Sequence, residues 1–208
     1  MMSKHSTYLE EYLEELLEII TIKDEYTKNH SDNVRAMAME LGPLLGIKSE
    51  YALDLLGRAA WLHDIGKIIV SKTILCKPSP LDASDLRVMN MHPLYGAELV
   101  RVDKRYGATI SPIILYHHEW VDGSGQYGLF AGEIPRFSRI ISIVDAYDAM
   151  VSDRPYREPR TVEFIQSEFC RYSGSQFDRQ ILCTFFGMMG WHADCLCQMG
   201  PVDNRRQM

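Results

Sequence analysis

Apolar residues recur along the chain at intervals of three and four, the spacing that lines one face of an α-helix. Leu9, Tyr12, Leu13, Leu16, Leu17 and Ile20 form the first stripe. A second helix is predicted from near Thr27, with Val34, Met37, Ala38 and Leu41 inward and a stop around Gly42-Pro43. Ser49 suits the N-cap of a third, which carries Leu55, Leu56, Ala59, Ala60 and Leu62 and ends near Gly66. Residues 71–81 predict a loop, and 82–91 a helix. His92 precedes a proline, so it is expected outside the helix that Pro93 opens. Pro112 is expected to open a helix ending at His117-His118-Glu119-Trp120, and Pro135 another with Phe137, Ile141, Val144 and Asp148 on one side. Stretches near 161–172 and 178–189 bring the tally to about eight helices with no persuasive strand. The fold class expected is all-α, a single helical bundle over 21–190, with an N-terminal helix over 1–20 and a C-terminal tail over 191–208.

Composition narrows the function classes. The 208 residues are 46% hydrophobic and 24% charged, the balance of a globular domain with a real core. No apolar run approaches the ~20 residues that cross a bilayer. The acidic, amphipathic N-terminus reads as neither a signal nor a transit peptide. Five cysteines, an odd number at irregular spacing, predict no disulfide framework and place the chain in the cytoplasm. A net charge of −6 argues against general nucleic-acid binding, so an anionic ligand would need a local positive site.

The informative residues are polar groups on the apolar faces. His30 precedes Val34 by four and Leu41 by eleven. His63 follows Ala60 and Leu56 by three and seven, and His117 follows Ile114 and Ile110 likewise. Asp145 follows Ile141 and Phe137 by four and eight. Asp64 and His118 adjoin two of these, and His92 adds a fifth histidine. Burying such groups unpaired costs several kcal/mol. Seven of them from five segments point to shared cations. One ion cannot use seven such ligands; two can, with Asp64 bridging. Imidazole and carboxylate without thiolate suit two divalent transition metals, iron or manganese first, with cobalt, nickel or zinc as alternatives. Cys195 and Cys197, near His192, stay outside this set. Two ions about 3.5–4 Å apart activate a water between them and neutralise a phosphoryl group, which is what hydrolysis of a phosphodiester needs.

Ordered motifs carry a family resemblance. HDIGK at 63–67, DEYTKNH at 24–30, LCKPSPLDASDLRVMNMHP at 75–93, YHHEWVDGSG at 116–125, GEIP at 132–135 and VDAYDAMVSDRPYR at 144–157 resemble the HD metal-dependent phosphohydrolases. Within that superfamily they resemble the HD-GYP subfamily of cyclic di-GMP phosphodiesterases, over about residues 20–185. The resemblance implies that His30, His63, Asp64 and Asp145 bind one metal and that Asp64, His92, His117 and His118 bind the second. It places Lys67 beside the activated water, facing the scissile phosphate, and assigns Arg154 and Arg157 to the substrate phosphates; together with Lys77 these cations are expected to make the local positive, substrate-binding patch that a chain of net charge −6 needs. Asp148 would orient Arg154 or a ligand histidine. The implied reaction opens cyclic di-GMP to pGpG and/or GMP.

Two departures stand out. The subfamily's Gly-Tyr-Pro is replaced by Gly125-Gln126-Tyr127-Gly128, in a loop one residue shorter before GEIP. Tyr26 stands where some members carry a third-metal glutamate, which favours two ions. The altered loop prompts two alternatives: an HD hydrolase for another phosphorylated nucleotide, and a module that senses cyclic di-GMP or docks a partner. About 20 residues precede the HD region, enough for one helix that packs on the domain or pairs two copies into a homodimer, and no receiver domain is expected there.

Overall fold

The computed structural model describes residues 25–152 and 158–193, together with Glu15 and Glu18. Helices run in the order α1 (Glu25–Leu44), α2 (Glu50–Leu62), a 3-10 turn (Ile65–Ile69), α3 (Lys72–Leu75), α4 (Ala83–Met89), α5 (His92–Val100), α6 (Gly107–Leu115), α7 (Arg136–Val151), α8 (Val162–Arg171) and α9 (Arg179–Met188). Among the described residues there is no strand; Asp122 with Phe130 and Ser173 with Phe177 make isolated bridges. The all-α class predicted from the periodicity is the class observed. No described helix is long and apolar enough to cross a membrane.

The core explains why these stripes close on one another. Val34, Ala38 and Leu41 of α1 are fully buried with Leu56, Ala59 and Ala60 of α2 and Ile140, Ile141 and Val144 of α7. Phe169 of α8 and Phe185 of α9 meet with ring centroids 5.6 Å apart, closing the far side. Each fully buried Val, Leu, Ile or Phe among them contributes about 1.5–3 kcal/mol.

Several boundaries depart from the sequence expectation, each for a local reason. Helix α1 runs through Gly42-Pro43 to Leu44, because a proline in the last turn costs little when the helix is about to end. Its end is a Schellman motif at Gly46 (φ +82°): Ile47 N–H donates to Gly42 O, and Gly46 N–H to Pro43 O. Ser49 does cap α2, accepting from Ala52 N–H, but the helix stops at Leu62 and not near Gly66. His63 and Asp64 therefore stand at its C-terminal end, and the 3-10 turn begins after them. The stretch 71–81 holds the four-residue α3. His92 is the first residue of α5 and not a residue outside it. A proline one position into a helix restricts its predecessor weakly, and His92 is held there by its side chain, whose Nδ1–H donates to Met89 O (2.7 Å). Pro112 lies inside α6, which starts at Gly107 and ends before the two histidines.

Cys170 is disulfide-bonded, which departs from the expectation that the cysteines form no disulfide framework. It sits on α8 among residues packed against the core. The 1–20 stripe (save Glu15 and Glu18), Cys195, Cys197 and the tail from 194 lie outside the described residues.

Candidate metal centre

Five elements deliver their polar groups to one point. His30 comes from the first turns of α1, His63 and Asp64 from the end of α2, and His92 from the start of α5. His117 and His118 follow α6, and Asp145 comes from α7. Three groupings have ligand atoms within 4.8 Å of one another: His30, His63 and Asp64; His63, His117 and Asp145; His92, His117 and His118. All seven residues thus belong to one connected cluster.

The orientation of four of the five imidazoles is set from behind. Nδ1–H of His63 donates to Ala60 O (2.6 Å), that of His92 to Met89 O (2.7 Å) and that of His117 to Ile114 O (2.6 Å). A carbonyl can only accept, so each Nδ1 carries the proton and each Nε2 keeps its lone pair for the centre. His30 follows the same plan with a carboxylate, donating from Nδ1 to Asp148 Oδ2 (2.7 Å). Asp148 also accepts from Asn33 Nδ2 (2.9 Å) and Ser152 Oγ (3.2 Å). Asp148 thus backs a histidine of the cluster, one of the roles expected for it; Arg154, the other group it was expected to orient, lies outside the described residues. Such backing fixes ring orientation and raises ligand basicity.

Asp64 lies between two sets of nitrogens. Its Oδ1 faces His92 Nε2 (3.1 Å), and its Oδ2 faces His63 Nε2 (3.4 Å) and His30 Nε2 (3.6 Å). Asp145 Oδ1 is 3.0 Å from His30 Nε2, and its Oδ2 is 4.0 Å from His118 Nδ1. Lys67, on the 3-10 turn, donates from Nζ to Asp64 Oδ2 (2.5 Å).

Gly66 makes this meeting possible. A Cβ at 66 would stand 2.0 Å from His92 O and 2.5 Å from Gly96 N. Only a residue without a side chain lets the 3-10 turn touch the backbone of α5, and that contact brings Asp64 to His92.

Electrostatics keep the carboxylates ionised. Burial would raise the Asp64 pKa, but the Lys67 charge first, with the His63 and His92 imidazoles beside it, holds it well below the usual carboxylate range. Asp145 is likewise held low against burial, chiefly by His30. Burial pushes His30 down, yet hydrogen bonds to Asp145 and Asp148 and the charges of Asp145 and Asp64 win and raise it to about 9. His117 goes the other way, lowered by burial and by its histidine neighbours.

The donor set fits metal ions. His63 Nε2 is buried with no hydrogen-bond partner, and His92 Nε2 and His117 Nε2 face each other at 3.5 Å. Lone pairs turned on one another inside a core, rimmed by anionic oxygens, are satisfied by a cation. The cluster is not sealed. His30, His63, Asp64, His92 and His117 are buried, whereas the side chain of His118 is 48% exposed, that of Lys67 22% and that of Asp145 17%. A ligand can reach the cluster from that side.

Not every expected residue joins it. Lys77 donates to Asp82 (3.1 Å) and to Asp85, the two carboxylates of the capping box that opens α4. Arg154 and Arg157 lie outside the described residues. Conversely, Glu119 escaped notice in the sequence. It is buried, and it accepts from Tyr127 N–H (2.9 Å) and Leu129 N–H (3.2 Å). Its position next to His117-His118 was the available signal.

The HD domain family pattern matches residues 14–181. The chain belongs to the HD domain family. This HD domain is 35% identical over 188 residues to a cyclic di-GMP phosphodiesterase of Thermotoga maritima, an alignment covering 86% of this chain and 50% of that protein. It is 32% identical over 169 residues to the 3'3'-cGAMP-specific phosphodiesterase 2 of Vibrio cholerae, covering 80% and 32%. The chain therefore spans half or less of these relatives' length. Among solved structures, a HDG"Y"P protein from Bdellovibrio bacteriovorus shares the fold with a TM-score of 0.65 at 21% identity, over 79% of this chain and 52% of that one.

Proposed function

We propose that this HD domain hydrolyses a phosphodiester bond of a cyclic dinucleotide, cyclic di-GMP first, releasing linear pGpG and/or GMP. The observation that carries the reading is the division of Asp64: one carboxylate oxygen faces His92, the other faces His30 and His63. A carboxylate so divided would suit two cations held on either side of it. His30, His63, Asp64 and Asp145 would hold one divalent ion, and Asp64, His92, His117 and His118 the other. Iron or manganese leads, with cobalt, nickel or zinc as alternatives. Bound there, two ions supply Lewis acidity toward the phosphoryl oxygens and a nucleophilic water at neutral pH.

The protein's own groups do the rest. Asp148 holds the ring of His30, and three backbone carbonyls hold His63, His92 and His117, so the centre is preorganised. Lys67, one 3-10 turn from Asp64 and partly exposed, offsets charge gathering on the phosphoryl oxygens as water adds to phosphorus and the ribose 3′ oxygen leaves. Arg154 and Arg157 are proposed to hold the substrate phosphates through paired hydrogen bonds. Lys77 could join them only by leaving Asp82 and Asp85. Localisation in the cytoplasm and pairing of two copies through residues 1–20 are proposed alongside this role. Relatives named for cyclic di-GMP and for 3'3'-cGAMP both support a cyclic dinucleotide.

The test is chromatography of cyclic di-GMP and 3'3'-cGAMP after incubation with metal-loaded protein. Linear product from the wild type and none from Asp64→Ala is expected. Metal-loaded protein that leaves both substrates intact would overturn the reading, and selective opening of 3'3'-cGAMP would reassign the substrate.

A further inference from the structure

The mechanism leaves one buried carboxylate unused. Glu119, 3% exposed, is the residue after His118. Its two oxygens point away from the metal ligands and into the loop that follows, where Oε1 accepts from Tyr127 N–H and Oε2 from Leu129 N–H. Gly125 lies flush against the same carboxylate: a Cβ there would stand 2.8 Å from both oxygens and 2.7 Å from Trp120 N. Three positions of the loop, 125, 127 and 129, are thus hung on one side chain.

The clamp has a visible result. The ring of Tyr127 meets that of Tyr116 edge to face, with centroids 5.4 Å apart. Tyr116 immediately precedes His117. The short segment 116–119 therefore carries an aromatic ring, two histidines of the cluster and the loop's anchor. Two backbone amides given to one side chain fix a loop more firmly and more directionally than its ordinary contacts do. Tyr127 stays 41% exposed despite being held, so part of its ring is open to solvent.

We propose that Glu119 is a positioning residue that clamps the 125–129 loop, so that Tyr127 and Tyr116 form a fixed aromatic wall for a purine base of the substrate. This rests on the cyclic dinucleotide reading above. The clamp acts on substrate capture and base selectivity, since bases stack on aromatic rings. The Gln126 and Gly128 that break the expected loop pattern leave this anchorage intact, because it uses backbone amides.

Steady-state kinetics on cyclic di-GMP and on bis(p-nitrophenyl) phosphate, a diester with no purine, test it in Glu119→Ala, Glu119→Gln and Gly125→Ala. Circular dichroism and metal content per chain are measured on the same samples. KM for cyclic di-GMP should rise about tenfold or more in Glu119→Ala and Gly125→Ala, while kcat falls less than about threefold and the small diester is affected less. Glu119→Gln, which keeps an acceptor, should be milder. Hydrogen exchange at the Tyr127 and Leu129 amides should quicken in Glu119→Ala. Variants with an unchanged KM, or with kcat falling equally on both substrates alongside lost metal, would overturn the clamp. A wild type that cleaves the small diester but no cyclic dinucleotide would instead overturn the underlying reading, and the clamp's role with it.

Discussion

Gly66 and the carbonyl of His92 are so close that a methyl group placed on Gly66 would stand 2.0 Å from the oxygen. The contact joins the turn after α2 to the first residue of α5. It sets how near Asp64 comes to His92, now 3.1 Å. Gly66→Ala must push the two backbones apart. Forced overpacking of this kind costs about 1–3 kcal/mol, so the melting temperature should fall by several degrees and metal binding should weaken in the same variant. Thermal melts with metal analysis check both.

Asp148 accepts from His30, Asn33 and Ser152, and so backs the cluster through the ring of His30. Asp148→Asn removes the charge that backs His30. Metal affinity should drop by about tenfold or more, the usual effect of losing such a partner. Asn33→Ala removes one hydrogen bond to Asp148 and should cost less, about 1 kcal/mol of stability. Calorimetric metal titration and denaturant melts separate the two.

Lys67 bonds Asp64 without belonging to the ligand set. Lys67→Met should therefore retain metal while kcat on a cyclic dinucleotide falls by roughly a hundredfold, the scale of one lost electrostatic contact to the transition state. Loss of metal from Lys67→Met would show that the lysine supports the centre instead.

Metal should also hold the fold together. An ion that binds only the folded chain adds about 2.7 kcal/mol at a hundred times its dissociation constant. Chelation should lower the melting temperature by roughly 5–10 °C, and re-addition of metal should restore it. Differential scanning calorimetry on one sample, chelated and then reloaded, measures this.

The sequence made the inward faces legible because helical periodicity is local. His30, His63 and His117 sit on the stripes that also carry Val34, Ala60 and Ile114, and all of these are buried. Where the helices stop was less legible. His63 and Asp64 stand past the end of α2, and His92 opens α5, because long-range contacts through Gly66 decide both. Glu119 was missed for the same reason: its partners are amides eight and ten residues later, and amides are present at nearly every position. The glycine at 66 read as a helix stop, since close approach to another segment leaves no trace in a local pattern.

The central claim is that seven side chains hold two ions with Asp64 between them. The most direct measurement is metal content per chain, on protein purified anaerobically, for the wild type and Asp64→Ala side by side. Two ions per chain in the wild type, and loss of the pair in a folded, helical Asp64→Ala, is the result expected. An Asp64→Ala variant that retains both ions would contradict the shared carboxylate and the ligand set built on it.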